Sequence, residues 1–367
     1  MTAEWGGGGS SSPSKYHSVW LRRNCQCQQC LNPQNQSIVL SHELDPTVTL
    51  SEATISTDGS NLEMKWSCGH QGFLNLDWLR KHSYSSKVLE EGRKKISPLF
   101  ATQMPQMDYK ELEDDYGVWK WLKNVNEYGV CLLHGVPCTK EDGLEVSKKI
   151  CPYLQETFYG GLTELKVEDS AISVSYGHGA LEPHQDMPEY ESYTGITLIH
   201  CLRNDRCVAE GESVIVDGLA VVEKLRKTHP HYFDTLVRVP ATFHRINHTW
   251  DRPIHMVYKT PHIHLNGHGQ VIMMRWSTHH DGPLQVNEED VEPYYEAYAY
   301  LAKAIMYDKE CQFHHRLEPG DMFTLNNHRM LHGRMKIQLN GGTRHLAVCT
   351  IIATVFEMKV HAQGGPL

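Results

Sequence analysis

The sequence predicts a mainly β, α+β architecture: a β sandwich or barrel flanked by helices, with a small β unit attached at its N-terminal side. Three observations predict it. From residue 116 onward, short strand-like apolar runs are separated by a few stretches of helical spacing. Residues 16–90 show short alternating runs broken by Asp-Pro and Asp-Gly turns. The length of 367 residues exceeds one typical domain and stays below three.

Residues 1–15 contain four glycines and three serines in a row at 6–12 and read as a flexible tail with no apolar leader. In the unit 16–90, Ser37-Ile-Val-Leu40 and Thr47-Val-Thr-Leu50 are the strand candidates. So small a unit has few large apolar residues and calls for a staple, such as a metal. Residues 91–115 read as a connector, with a basic run (Arg93, Lys94, Lys95), Pro98, Pro105 and an acidic run ending at Asp115. The domain 116–367 opens on a helix from Tyr116 to Tyr128, with Trp119, Leu122 and Val125 on one face. Val130-Cys-Leu-Leu133 then reads as a buried strand. Further helices are predicted over 141–158, 218–236 and 288–308, and strands over 321–325 and 344–352.

Composition narrows the function classes. Hydrophobic residues at 40% plus 28 glycines bring the apolar share to about 48%, ordinary for a soluble chain. The formal charge, 35 − 44 = −9, lacks the basic footprint of a nucleic-acid binder and is repelled by anionic membrane surfaces. No apolar run reaches the roughly 18 residues of a spanning helix. The expected partner is therefore a small-molecule substrate, with no nucleic acid and no membrane. Three of the 11 cysteines fall within Cys25–Cys30, which suits a metal site better than a disulfide framework, in a reducing, cytoplasmic compartment. Histidine is abundant, 24 against 8 phenylalanines, and imidazole is the commonest metal ligand.

Two constellations carry metal chemistry. Cys25, Cys27 and Cys30 with a fourth donor some 40 residues on, either Cys68 or His70, form a set that structural zinc closes tetrahedrally. The competing reading is three ordinary buried cysteines. In His184-Gln-Asp186, residues i and i+2 of a strand face one ion, and His332 in Leu331-His-Gly-Arg334 is the candidate third ligand. Two histidines and a carboxylate form the facial triad of non-haem Fe(II) oxygenases. Arg344 opens an apolar strand, where a buried guanidinium needs a carboxylate; the far carboxylate of 2-oxoglutarate would answer it in a fork.

Together with Asp77-Trp-Leu79, Thr157-Phe-Tyr-Gly160, Val216-Asp-Gly218 and Pro319-Gly-Asp321, these motifs and Val19-Trp-Leu-Arg-Arg-Asn24 resemble, in order, the gamma-butyrobetaine hydroxylase family, whose close relative is trimethyllysine hydroxylase. The resemblance implies a double-stranded β-helix (jelly-roll) oxygenase behind a small zinc domain, commonly a homodimer, and the cofactors Fe(II), 2-oxoglutarate, O2 and structural Zn(II). It implies zinc on Cys25, Cys27, Cys30 and His70, iron on His184, Asp186 and His332, and 2-oxoglutarate on Arg344 with help from Ser213. The family reads a trimethylammonium group by an aromatic cage. Tyr159 and Tyr176 match cage positions, whereas Thr163, Met187 and Thr350 stand where the family has Trp, Tyr and Tyr. His328 replaces a Trp, and Arg275-Trp276-Ser277 replaces an Asn-rich stretch. Tyr190, Tyr193 or Trp276 would rebuild a cage, and Arg275 would grip an anionic group. The function implied is hydroxylation of an unactivated C–H of a betaine-like amino acid, gamma-butyrobetaine to carnitine first. The alternatives are the same chemistry on trimethyllysine or a non-quaternary carboxylate, or a zinc-stapled binding protein without catalysis. Retention of Asp186 argues against a halogenase, which needs that position vacated. The other histidines, His279 and His280 among them, read as ordinary core or surface residues.

Overall fold

The computed structural model describes residues 2–3, 14–32, 44–85, 104–167, 177–248, 253–353 and 356. The chain divides into two compact units, Met1–Lys95 and Ile96–Leu367. The first holds an antiparallel sheet of β1 (Leu50–Ile55), β2 (Asn61–Trp66) and β3 (Gln71–Asn75), in that order. In β2, Leu62, Met64 and Trp66 are buried while Glu63 and Lys65 face solvent, the period-two pattern of a strand covered on one side. Helices α1 (Ser18–Arg23) and α2 (Leu76–Lys81) supply Leu21 and Leu79 to the same core. At the ends of the expected tail, Thr2–Ala3 pairs with Ser14–Lys15. The strand candidate at 37–40 lies outside the described residues.

The second unit is built on two sheets. The strands of the first are β4 (Gln106–Asp108), β5 (Val130–His134), β6 (Leu162–Lys166), β8 (Ile196–Asn204), β15 (Met322–Asn326) and β17 (Arg344–Ile351), in the order β4-β5-β15-β8-β17-β6. The second has β7 (Leu181–His184), β9 (Ser213–Asp217), β14 (Gln312–His315) and β16 (Met330–Arg334), in the order β14-β9-β16-β7. Between β9 and β14 come two hairpins, β10 (Ala241–Asn247) with β11 (Ile254–Thr260), and β12 (Ile263–Leu265) with β13 (Val271–Met274). Ile199, Phe323, Leu325 and Leu346 of the first sheet cluster with Ile215 and Met330 of the second, so the sheets face each other across one core.

Helices close the outer faces. Helices α3 (Asp115–Tyr128) and α4 (Lys140–Lys148) pack Trp121, Leu122 and Val146 on the first sheet. Helices α5 (Gly218–Thr228), α6 (Pro230–Arg238) and α7 (Glu288–Tyr307) cover the second through Val214, Val216 and Leu331. Sandwiching explains the unbroken apolar run at 130–133: Val130 and Leu132 point into the inter-sheet core, Cys131 and Leu133 toward the helices. Each buried leucine there contributes about 1.5–3 kcal/mol. Among the described residues no helix is long and apolar enough to cross a membrane.

Three expectations shift. The helix over 141–158 stops at Lys148, four residues before Pro152. The helix over 218–236 is two, because Pro230 cannot continue α5 and instead starts α6 at its first position. The described part of the expected connector belongs to the sheet: β4 pairs parallel with β5, and Met107 and Leu112 are buried.

One buried ion pair joins these parts. Asp217, fully buried, caps α5 by accepting from Ala220 N at 3.2 Å and takes Arg329 in a fork of 3.1 and 2.7 Å. Arg329 sits in the turn that feeds β16, so the pair anchors the chain just before His332. Removing one partner strands a buried charge, and Asp217→Ala should cost about 3–5 kcal/mol. Thermal unfolding checks this: Tm should fall by roughly 10 °C, with Asp217→Asn, which keeps a capping oxygen, intermediate.

Candidate active site and metal cluster

In the first unit, Cys25, Cys27 and Cys30 converge on His70 from the chain after α1 and the turn between β2 and β3. Their sulfurs lie 3.4, 3.6 and 3.4 Å from His70 Nε2. Ligands at zinc bond lengths and tetrahedral angles would stand about 3.6 Å apart, so the donor set fits that ion. A Cβ at position 72 would meet Cys25 Sγ at 2.2 Å, so only glycine lets β3 pass this close. Burial pushes the Cys25 thiol up to about 12, and a bound cation is what would hold it as thiolate. Arg22 donates to Cys30 Sγ at 3.1 Å. Cys68 is exposed and stands outside the cluster.

The second donor set lies where β7 ends against β16. His332 is the cross-strand partner of His184. Asp186 Oδ1 lies 3.7 Å from His184 Nε2 and 3.5 Å from His332 Nε2. A Cβ at Gly333 would meet Leu181 O at 2.6 Å and Pro183 N at 2.8 Å, so glycine there permits the close approach that brings the two histidines together. His184 Nδ1 donates to Glu182 O at 2.9 Å, leaving the Nε2 lone pair for a metal. Burial first, then His332, pushes His184 down to about 4, which keeps it neutral. Thr197 donates to Asp186 Oδ2 at 3.2 Å. Asn327 clamps the backbone of Asp186, accepting from its N–H at 2.9 Å and donating to its carbonyl at 3.0 Å. Met187, next in the chain, has φ +57°, local strain at the point where the chain turns away from the ligand.

Arg344 is 5% exposed, and no carboxylate pairs with it among the described residues. Burial, with Arg334 next, pushes it down to about 10. Arg334 gives its Nη2 to the carbonyls of Gly177 and Gly179 and stands opposite Ser213 on β9. A buried guanidinium among other guanidiniums is costly unless an anion joins it, which the far carboxylate of 2-oxoglutarate would supply. The donor chemistry thus fits both iron and 2-oxoglutarate.

A cavity of about 340 Å³ opens on His184 and Asp186, within the range of small-molecule sites. Tyr159, Thr163, Met187 and Thr350 line it as the resemblance implies, joined by Thr157, Arg245, His279 and His280. Tyr176 lies outside the described residues. The remaining substrate candidates are not in the lining. Trp276 is 2% exposed and packs on His262 and Tyr298. Tyr193 is buried, donates to Met274 O and packs its ring, tilted, against His328. Arg275 gives its guanidinium to the carbonyls of Pro188, Tyr190 and Glu191, between the rings of Tyr193 and Tyr258, so it braces the loop after Asp186 and does not grip a ligand. Tyr190 stacks on Phe158 and accepts from its N–H, supporting the segment that carries Tyr159. Arg245, on hairpin strand β10, carried no sequence signal, because only the tertiary fold brings β10 to the cavity.

Two variants separate the metals. Cys30→Ser should lose zinc from the purified protein, measured by elemental analysis, and unfold the first unit, since structural zinc contributes about 10–16 kcal/mol in small zinc domains. Gly333→Val should leave zinc in place and abolish Fe(II) or Mn(II) binding, because the side chain forces β16 off β7.

The profile described as taurine catabolism dioxygenase TauD, TfdA family matches residues 92–350, and the one described as gamma-butyrobetaine hydroxylase-like, N-terminal, matches residues 1–72. The chain is 30% identical to gamma-butyrobetaine dioxygenase of Homo sapiens over 91% of its length and 87% of the relative's. It is 26% identical to mitochondrial trimethyllysine dioxygenase of Rattus norvegicus over 93% of its length and 80% of the relative's. A taurine dioxygenase structure from Burkholderia xenovorans shares the fold, with a TM-score of 0.51 at 13% identity over 70% of this chain and 90% of that one. The chain belongs to the TauD, TfdA family and is a 2-oxoglutarate- and iron-dependent dioxygenase.

Proposed function

We propose that His184, Asp186 and His332 hold the iron, that Arg344 holds the far carboxylate of 2-oxoglutarate with Ser213 beside its strand partner Arg334, and that the enzyme hydroxylates an unactivated C–H of a small carboxylate of the amino-acid and betaine class. The carrying observation is the triad, of which His184 and Asp186 line a 340 Å³ cavity, together with a buried Arg344 that no carboxylate among the described residues compensates. Iron(II) with 2-oxoglutarate and O2 supplies the oxidising power, with succinate and CO2 as co-products. The chain's own residues position and protect. Glu182 O orients His184, Thr197 and Asn327 fix Asp186, and Leu165, Leu181 and Val348 give the cavity an apolar wall.

The names of the relatives put gamma-butyrobetaine first among substrates, with carnitine as product, and trimethyllysine next. The lining supports the third alternative, a non-quaternary carboxylate. Of the aromatic positions expected around a trimethylammonium group, Thr163, Met187 and Thr350 offer no ring, and Tyr190, Tyr193 and Trp276 support the walls from behind.

Succinate release tests the reading. His184→Ala should form none from 2-oxoglutarate, and succinate formation by that variant would refute the iron site. Arg344→Met should weaken 2-oxoglutarate by about 2–5 kcal/mol, roughly 30- to 4,000-fold. Its Tm without cosubstrate should stay level or rise, because an uncompensated buried charge has gone. A panel of gamma-butyrobetaine, trimethyllysine and uncharged isosteres, read by substrate-stimulated succinate release, ranks the substrates.

A further inference from the structure

A 3-10 turn, Thr278–His280, carries His279 and His280 into the cavity lining. It is pinned on two sides. Thr278 Oγ1 donates to Glu182 Oε2 at 2.8 Å, which ties the turn to β7. Phe243 bridges to Asp281, and Gly282 N donates to Thr242 O at 2.8 Å, which ties it to β10. Ser277, fully buried at the start of the turn, has its hydroxyl 2.8 Å from His280 Nδ1. That nitrogen is the one hydrogen-bond partner of the Ser277 side chain among the described residues. A buried hydroxyl hydrogen needs an acceptor, so Ser277 donates and His280 Nδ1 accepts. The hydrogen of the imidazole then sits on Nε2. Nε2 makes no hydrogen bond with a described residue and is left accessible on a ring that lines the cavity.

The other polar lining groups lack this fixed polarity. Thr157 gives its hydroxyl to Gly160 O at 3.1 Å, Thr350 to Gln155 O at 3.4 Å, and Arg245 bonds to Tyr159 at 2.7 Å. His184 and Asp186 belong to the metal set, and the Thr163 hydroxyl can turn either way. The ring of His279 stands edge-on to His184 with its Nε2 buried.

We infer that His280 Nε2–H is a specificity-determining contact that donates to an oxygen of the substrate carboxylate, and that Ser277 is the positioning residue that fixes which ring nitrogen carries the hydrogen. The inference rests on the dioxygenase reading above and deepens it, by naming the group that reads the acid end of the small carboxylate. A donor held rigidly before the ligand arrives loses little freedom on binding, and a charged acceptor strengthens the bond.

Two measurements test it. In the first, full-length protein loaded with Mn(II) and 2-oxoglutarate is titrated calorimetrically with gamma-butyrobetaine and 4-aminobutyrate, and with butyltrimethylammonium and butylamine, in which a methyl group replaces the carboxylate. His280→Leu should weaken binding of the acid that the parent prefers by roughly 10- to 150-fold and leave its methyl counterpart unchanged. His280→Gln, whose amide N–H reaches toward the same place, should restore part of the loss, and Ser277→Ala should show a smaller loss of the same kind. All three variants should bind 2-oxoglutarate as the parent does. In the second, long-range proton–nitrogen NMR of histidine-labelled, Zn(II)-loaded enzyme, with His280 assigned by its absence in His280→Gln, should place a hydrogen on Nε2. A bare Nε2, acid binding unaffected by His280→Leu, equal loss of acid and methyl counterpart, or no binding of either acid by the parent would each overturn the inference. Failure of the parent to bind 2-oxoglutarate with Mn(II) would refute the dioxygenase reading instead.

Discussion

The close contact of β7 and β16 at Gly333 is the constraint on which the active site depends. Two strands must approach until a Cβ would collide with the opposite backbone, and only then do His184 and His332 become direct cross-strand partners. Everything nearby holds that contact. Asn327 ties the backbone of Asp186 to the turn before β16, and the Asp217–Arg329 fork ties the same turn to the start of α5. Helix α5 is in turn pressed on the outer face of the second sheet by Val221, Val222 and Leu225. The helices thus act on the site through a short chain of contacts: apolar burial sets α5, α5 sets Asp217, Asp217 sets the turn, and the turn sets His332.

Around this frame the protein buries a cation, Arg344, that no carboxylate among the described residues compensates. Arg344 is buried near Arg334, and both are pushed below the ordinary range by burial. Such an arrangement costs stability in the empty protein and is offset when an anion arrives, so cosubstrate binding and folding stability are linked. Arg275 shows the contrast: its charge is taken up by three backbone carbonyls and two tyrosine rings, which makes it a brace.

Much of this was legible in the sequence because it depends on local spacing. The i, i+2 separation of His184 and Asp186, although β7 ends at His184 and Asp186 lies just beyond it, the cysteine cluster, and a charged residue at the head of the apolar strand Arg344–Ile351 are one-dimensional signals. The two-sheet core was legible for the same reason, since a strand buried on both faces must read as an unbroken apolar run. The substrate wall was less legible. Tyr193, Arg275 and Trp276 are near the site in sequence but point behind it, and a side chain's direction beyond its own strand is a tertiary property. Arg245 was silent because it follows an ordinary hairpin pattern and acquires meaning only where β10 passes the cavity. The break at Pro230 was readable from the proline alone, whereas the strand at Gln106–Asp108 was hidden in a stretch dominated by charge and proline.

The account's central claim is that His184, Asp186 and His332 hold one iron and that Arg344 holds the far carboxylate of the cosubstrate. An anomalous difference map from crystals grown anaerobically with iron(II) and 2-oxoglutarate tests it most directly. The account predicts one iron peak among His184 Nε2, Asp186 Oδ1 and His332 Nε2, with the far carboxylate of 2-oxoglutarate forked on Arg344. Iron elsewhere, or that carboxylate seated away from Arg344, would contradict it.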